Sequence, residues 1–270
     1  MVTRHSSLVT SFLVLVVLLT ACAPTPEVTR TPVRLRLGDA ADEATVLDRL
    51  LEIYAQNHDW VSFVNDPLST DEAIARVRND HLDLALLPVS PDQLGIRLWT
   101  SGLAYDSLVI VVHPDNPIGN LTLNELRDIF QGRTFDWTPF GGTAEVIPVS
   151  REAGSIARQL FEERVMNGRA VTQNSVLKSS ALDVVNYVAA TPGAIGYVPI
   201  SQVGANVKVV SLDGVTPSPT TAASGQYALS SPHYLIARGE PQGDLREFVG
   251  WLLSDEGQQI LSEFGLGRVR

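Results

Sequence analysis

Apolar positions along this chain switch between two spacings. Val33, Leu35 and Leu37 alternate with Arg34 and Arg36, the period-two pattern of a half-buried strand. After Gly38-Asp39-Ala40-Ala41-Asp42, the apolar residues fall at Val46, Leu47, Leu50, Leu51 and Tyr54, one face of a helix. The switch repeats. Residues 60–64 predict a strand, and Ser69-Thr70-Asp71-Glu72 opens a helix whose inner face is Ile74 and Val77. Residues 82–87 form a nearly continuous apolar strand, as in a parallel sheet covered on both faces. Ser90-Pro91-Asp92 then starts a short helix or turn.

The second half follows the same rhythm. A longer strand over 103–112 runs into His113-Pro114-Asp115-Asn116-Pro117, a sharp change of path. A helix passes through Leu126 and Phe130, and 132–142 is a loop. The later expectations are a helix over 179–190, strands over 194–198, 207–212 and 234–237, a Thr/Ser/Pro/Ala loop over 216–224, and two closing helices over 245–253 and 258–264. Strands alternating with helices argue an α/β fold.

The stretch 148–161, PVSREAGSIARQLF, concentrates the candidate chemistry. A strand through Val146, Ile147 and Val149 breaks at Ser150-Arg151-Glu152-Ala153-Gly154-Ser155. Helical spacing then resumes at Ile156, Leu160, Phe161 and Val165, predicting a helix to about Asn167. A strand, a small polar turn and a helix aim unpaired backbone N–H groups and the positive end of the helix dipole at one point, which favours an anion. Gly154 lets backbone approach closely, Ser155 adds a hydroxyl, and Arg151 adds a planar charged fork suited to oxyanions. The plainer alternative makes Ser155 a helix N-cap and Arg151 a solvated cation.

Composition narrows the function. The 270 residues suffice for one large or two small domains, and 44% hydrophobic with 19% charged residues is ordinary for a globular chain. A formal net charge of −10 disfavours nucleic acid as a partner. Five histidines without paired ligand spacing give no metal or cofactor expectation. An enzyme would pair Ser155 with His113 or His233 and an aspartate, but Ser155 lacks the Gly-x-Ser-x-Gly elbow, so no catalysis is expected. Tyr105, Trp137 and Tyr234 are open between cleft and core roles.

The N-terminus stands apart. Arg4 and His5 precede an apolar run over 8–19 that ends at Thr20-Ala21-Cys22 and has the shape of a signal peptide over 1–21. Leu19-Thr20-Ala21-Cys22 resembles the bacterial lipobox, which implies cleavage before Cys22, lipid attachment to its sulfur, and tethering to the extracytoplasmic face of the cell membrane. Cys22 is the sole cysteine, so no internal disulfide is possible. Residues 22–32 carry Pro24, Pro26 and Pro32 and read as an extended tether.

Five segments together resemble the phosphate-binding proteins of ABC importers. They are 103–132 (LAYDSLVIVVHPDNPIGNLTLNELRDIFQG) with Trp137 and Gly141-Gly142, 148–161, VAATPGAIGYV over 188–198, SGQYALSSPHYLIARG over 224–239, and FVGWLLSDEGQQILSEFGLGRV over 248–269. The resemblance covers nearly all of 33–269 in the family's order. It implies a type II periplasmic-binding-protein fold, two α/β lobes joined by two hinge crossovers that close over a ligand. The crossovers are expected near 111–116 and 226–231, giving lobe 1 as 33–111 plus 230–270 and lobe 2 as 112–229. The implied role is a monomeric, lipid-anchored binding protein that passes phosphate or a similar oxyanion to an ABC permease.

Three turns would hold the ligand, and all three depart from the family pattern. The usual Ser-Gly-Thr is Ser155-Ile156-Ala157 here, which keeps Ser155 and Arg151 but loses a glycine and a hydroxyl. The Gly-Ser-Thr of many relatives is Gly38-Asp39-Ala40, where an ionised Asp39 would repel a phosphate dianion unless protonated or paired, or would instead be a helix N-cap. The third turn is Val89-Ser90-Pro91-Asp92, where Ser90 matches and Pro91 removes a backbone donor. A diverged relative that senses, or binds another small solute, therefore stays open beside the oxyanion receptor.

Overall fold

The computed structural model describes residues 30–40, 44–94 and 98–269, without the side chains of 40, 44, 45 and 93. The expectations for the signal peptide, Cys22 and the tether lie outside the described residues, apart from 30–32. Residues Pro32–Arg270 form one unit, distinct from Met1–Thr31.

The elements run β1 (Val33–Ala40), α1 (Ala44–Asn57), β2 (Val61–Leu68), α2 (Thr70–Arg78), β3 (Leu84–Leu87) and the long β4 (Trp99–Val112). Next come β5 (Asn120–Leu121), α3 (Leu123–Phe130), β6 (Ile147–Arg151), α4 (Ile156–Phe161), β7 (Val176–Lys178), α5 (Ala181–Ala190), β8 (Ala194–Pro199), β9 (Lys208–Leu212) and α6 (Pro219–Ala223). The chain ends with β10 (Ser230–Ala237), α7 (Gly243–Leu253), α8 (Asp255–Glu263) and β11 (Gly267–Arg268). Strands pair in the order β2-β1-β3-β10-β4-β8-β6-β7.

Two lobes hang on this path, and the first holds a core on each face of its sheet. In the first, β1 and β3 are parallel, and β3 alternates its faces. Leu84 and Leu86 point to a core shared with α1, α7 and α8, whereas Ala85 and Leu87 point to a core shared with α2. Both faces are covered, which is why 82–87 reads as one apolar run. The buried Gln258 of α8 fastens this lobe by donating Nε2 to the Leu103 carbonyl at 3.0 Å and the Leu252 carbonyl at 3.1 Å. The core of the second lobe gathers β6, β8, α3, α4 and α5 around Tyr197, Phe130 and Phe161. Phe161 stacks on Tyr197 at 4.1 Å between ring centroids. Gly196 lets α5 press on β8, because a Cβ there would lie 2.6 Å from Val184 Cγ1.

Strand β4 belongs to both lobes. Leu103 and Ala104 pack in the first, and 108–112 in the second. Its N-terminal part pairs with β10 and its C-terminal part with β8 and β9. β4 therefore passes from the first lobe to the second between 104 and 108. A strand can continue straight through a hinge, and the prolines at 114 and 117 mark only the turn beyond it. The chain returns between Leu229, packed in the second lobe, and Ser231, which pairs with Asp106.

Some element boundaries moved. The helix after Ser155 gives way at Glu162–Met166 to a wider π turn, ended by Asn167 at φ 48°. The 216–224 stretch, expected as loop, holds α6 behind a capping box of Ser218 and Thr221. Short strands β5, β7 and β11 carry too few residues for a period to register.

Candidate functional site

The cleft between the two lobes has a volume of about 720 Å³, within the usual range for small-molecule sites. Arg151 ends β6, and its side chain lines the cleft while the residue is only 2% exposed. Three bonds fix it. Its backbone N–H donates to the Tyr197 hydroxyl at 3.3 Å, its carbonyl accepts from Arg158 Nη1 at 3.0 Å, and its own Nη2 donates to the Ser179 carbonyl at 2.9 Å. Tyr197 is itself held by Ser150 at 2.8 Å, and burial pushes its hydroxyl pKa up, so it stays a neutral support. Arg158 is braced by Glu162 at 2.8 Å.

Three serines that cap helices line the same cleft. Ser155 caps α4 by accepting from the Arg158 N–H at 3.1 Å, which leaves its own O–H free to donate. Ser69 caps α2 by accepting from the Glu72 N–H at 3.4 Å. Ser180 caps α5, and its O–H is committed to Asp183 at 2.7 Å. Ser155 is thus an N-cap that also lines the cleft. The lining also carries the carboxylates Asp71, Glu152 and Glu163, and Glu163 lies 3.6 Å from Arg164.

Of the residues expected at the site, Arg151, Gly154, Ser155 and Ile156 line the cleft. Gly154 serves it differently than expected. A Cβ there would meet nothing within 4 Å, but its φ of +92° is the left-handed region that glycine alone enters freely. Ala157 sits behind the turn at 4% exposure. Gly38 and Asp39 lie within β1 between β2 and β3, and neither is among the residues lining the cleft. A Cβ on Gly38 would meet Leu82 Cδ1 at 2.7 Å, so this glycine serves packing. Asp39 is wholly buried, accepts from Asn65 Nδ2 at 3.4 Å, and is not a wall residue of the cleft. The backbone of Ala40 ends β1, and residues 41–43, where an Asp39 cap would act, lie outside the described residues. Ser90 is half-buried before the short helical turn Pro91–Gln93; its neighbours Pro88 and Val89 line the cleft instead.

Sequence reasoning missed Ser69, Thr70, Ser179, Ser180 and Ser231 as cleft residues. Their signal was present as Ser-x-x-Glu at 69–72 and Ser-x-x-Asp at 180–183, cap patterns that mark where a helix start faces. Trp137 proves to be core, 1% exposed and donating Nε1 to the Gly193 carbonyl at 3.0 Å. Tyr105 and Tyr234 do not line the cleft. His113 accepts from the Asp115 N–H at 3.2 Å in its turn, away from the cleft. Among the described residues no group of three or more His, Cys, Asp or Glu is placed to hold a metal. Among them, too, no helix is long and apolar enough to cross a membrane.

A second groove, about 820 Å³, lies at the far end of the first lobe beside Arg34, Asp83 and Asp244. It is the less apt ligand site, because four of its six charged residues are already engaged. Asp83 pairs with Arg36 at 2.6 Å, Asp80 with Arg238 at 3.6 Å, and Asp244 accepts from Trp60 Nε1 at 2.9 Å.

A family model described as a PBP superfamily domain matches residues 29–256. The phosphate-binding protein PstS of Bacillus subtilis is 30% identical over 161 residues, which cover 59% of this chain and 53% of that protein, so the match spans about half of the relative's length. The protein of the same name from Borreliella burgdorferi is 22% identical over 244 residues, covering 85% of this chain and 88% of that one. Among solved structures, a Clostridium perfringens protein assigned as a phosphate ABC transporter substrate-binding protein, with phosphate bound, superposes with a TM-score of 0.77. It is 26% identical, over 88% of this chain and 100% of that one. A Vibrio cholerae phosphate transport receptor, 24% identical with a TM-score of 0.72, shares the fold.

Proposed function

The chain belongs to the PBP superfamily, whose domain spans residues 29–256, and on that premise we propose that it is the solute-binding component of an ABC importer. It holds a tetrahedral oxyanion, phosphate or a close relative, in the cleft beside Arg151. The observation that carries this reading is the buried guanidinium of Arg151, set among the cap serines Ser69 and Ser155 contributed by different cores. A charged fork and hydroxyl donors converging from two sides suit an anion with oxygens on several faces. Closing residues 33–107 with 230–270 as one lobe onto 108–229 as the other would bring those donors round the ligand. The reading assigns no turnover: the chain delivers its solute unchanged to a permease, as a monomer anchored through Cys22 at the outer face of the cell membrane.

Ile156 favours one variant of this reading. Its branched, half-buried side chain faces the cleft beside Ser155, where a purely polar ligand would prefer a donor. A solute other than inorganic phosphate fits that wall.

The test is thermal unfolding of the full chain with and without millimolar phosphate and other tetrahedral oxyanions. A ligand at a thousandfold excess over its dissociation constant adds about 4 kcal/mol. For a body of this size that raises the midpoint by roughly 8–16 °C. A shift of this order that is lost in Arg151→Ala supports the site. Absence of any shift with every oxyanion tried would sink it.

A further inference from the structure

Beneath the turn that carries Ser155 lies a second, smaller cavity of about 30 Å³. Pro88, Ile156, Leu160 and Ser231 line both this cavity and the main cleft, so the two adjoin. The remaining wall is largely carbon, from Leu108, Ala157 and Pro199. The polar residues around it, apart from Ser231, are Asp106 and His233, and one carboxylate oxygen of Asp106 accepts from the Ser107 N–H at 2.6 Å. A space of this size holds about one water or one methyl group.

The cavity discriminates between oxyanions. Inorganic phosphate presents an oxygen in every direction. An oxygen turned into this wall would trade its hydration for at most the Ser231 hydroxyl and the His233 ring, the rest of the lining being mostly carbon. A methyl group loses nothing there and gains carbon contacts. We propose that the preferred ligand is a tetrahedral oxyanion carrying one small alkyl group, an alkylphosphonate, with its alkyl group in the cavity walled by Ile156 and Ala157. Its oxygens face Arg151 and Ser155. This rests on the reading of the cleft as an oxyanion site.

The experiment is calorimetric titration of the full chain with inorganic phosphate, methylphosphonate and propylphosphonate, at a pH where all three are dianions. Methylphosphonate is expected to bind about tenfold tighter than phosphate, combining one buried methyl with one oxygen spared desolvation. Propylphosphonate should bind at least tenfold more weakly than methylphosphonate, because the cavity has no room for two further carbons. Ala157→Leu fills the cavity from a residue that does not line the cleft. It should erase the methyl preference and leave phosphate binding in place. If that variant does not fold, the ligand series decides by itself. Phosphate binding as tightly as methylphosphonate, or tighter, overturns the alkyl subsite and leaves the oxyanion site standing. Failure of all three ligands to bind retires both.

Discussion

Ser69 and Ser155 cap helices that open on the same cleft, yet among the described residues lining it only the wall behind Ser155 carries a cation. Behind Ser155 stands Arg151, buried and fixed through its backbone and its guanidinium. Behind Ser69 the lining consists of Leu68, Thr70, Asp71, Pro88 and Val89. The difference separates two tasks. One wall recognises charge and has its arginine desolvated and oriented before any ligand arrives. The other offers the Ser69 and Thr70 hydroxyls beside the Asp71 carboxylate, and on the proposed reading it would contribute when the lobes close. A buried cation is worth more to an anion than a hydroxyl, since bonds to charged groups contribute about 1.5–3 kcal/mol and neutral ones roughly half to a third of that.

The largest effect should therefore follow Arg151→Ala. Oxyanion affinity is expected to fall about 100-fold or more, from roughly 3 kcal/mol of lost interaction. Ser69→Ala should cost only about fivefold, near 1 kcal/mol. Arg151→Lys should recover little, because an ammonium cannot hold the Ser179 carbonyl and a ligand with one planar fork. Equal losses for Arg151→Ala and Ser69→Ala in calorimetry would erase the distinction between the walls.

Glycines sharpen the same contrast. Gly154→Ala puts a side chain at φ +92°, where its Cβ meets nothing, so the cost is backbone strain of about 1–2 kcal/mol. It should lower both the denaturation midpoint and the affinity, because the strained turn carries Ser155. Gly38→Ala has ordinary backbone but brings Cβ within 2.7 Å of Leu82 Cδ1, the far end of a flexible side chain. It should cost about 1 kcal/mol of stability by overpacking and leave affinity unchanged. An affinity loss in Gly38→Ala would return β1 to the ligand site.

These contrasts also mark what could be read without coordinates. The α/β alternation was legible because covered strands such as 84–87 and amphipathic helices such as α1 carry strong, different periods. The turn at 150–155 was legible because strand, small residues and helix adjoin in sequence. The opposite wall was not, because Ser69 and Ser231 reach the cleft from segments far apart in the chain. Resemblance pointed instead to Gly38-Asp39-Ala40, which extends β1 and buries its carboxylate. The passage between the lobes was hard to read because β4 crosses from one to the other without any break in its apolar pattern.

The smallest expected effect tests whether the arginine wall is also held together by its caps. Asp183 accepts from the hydroxyls of Ser180 at 2.7 Å and Ser179 at 3.1 Å. The Ser180 bond first, and the Ser179 bond next, hold its pKa below the ordinary 3.8. A carboxylate with a lowered folded-state pKa adds stability that is present above its unfolded pKa and lost as pH falls through the folded one. The midpoint difference between the native chain and Asp183→Asn should thus stay constant from neutral pH down to about 5 and vanish below the folded value. Because the Ser179 carbonyl also receives Arg151 Nη2, the substitution should weaken oxyanion binding slightly at neutral pH, by about twofold. A stability difference that persisted in acid would mean Asp183 acts through something other than its charge, and the cap would no longer explain how Ser179 is placed for Arg151.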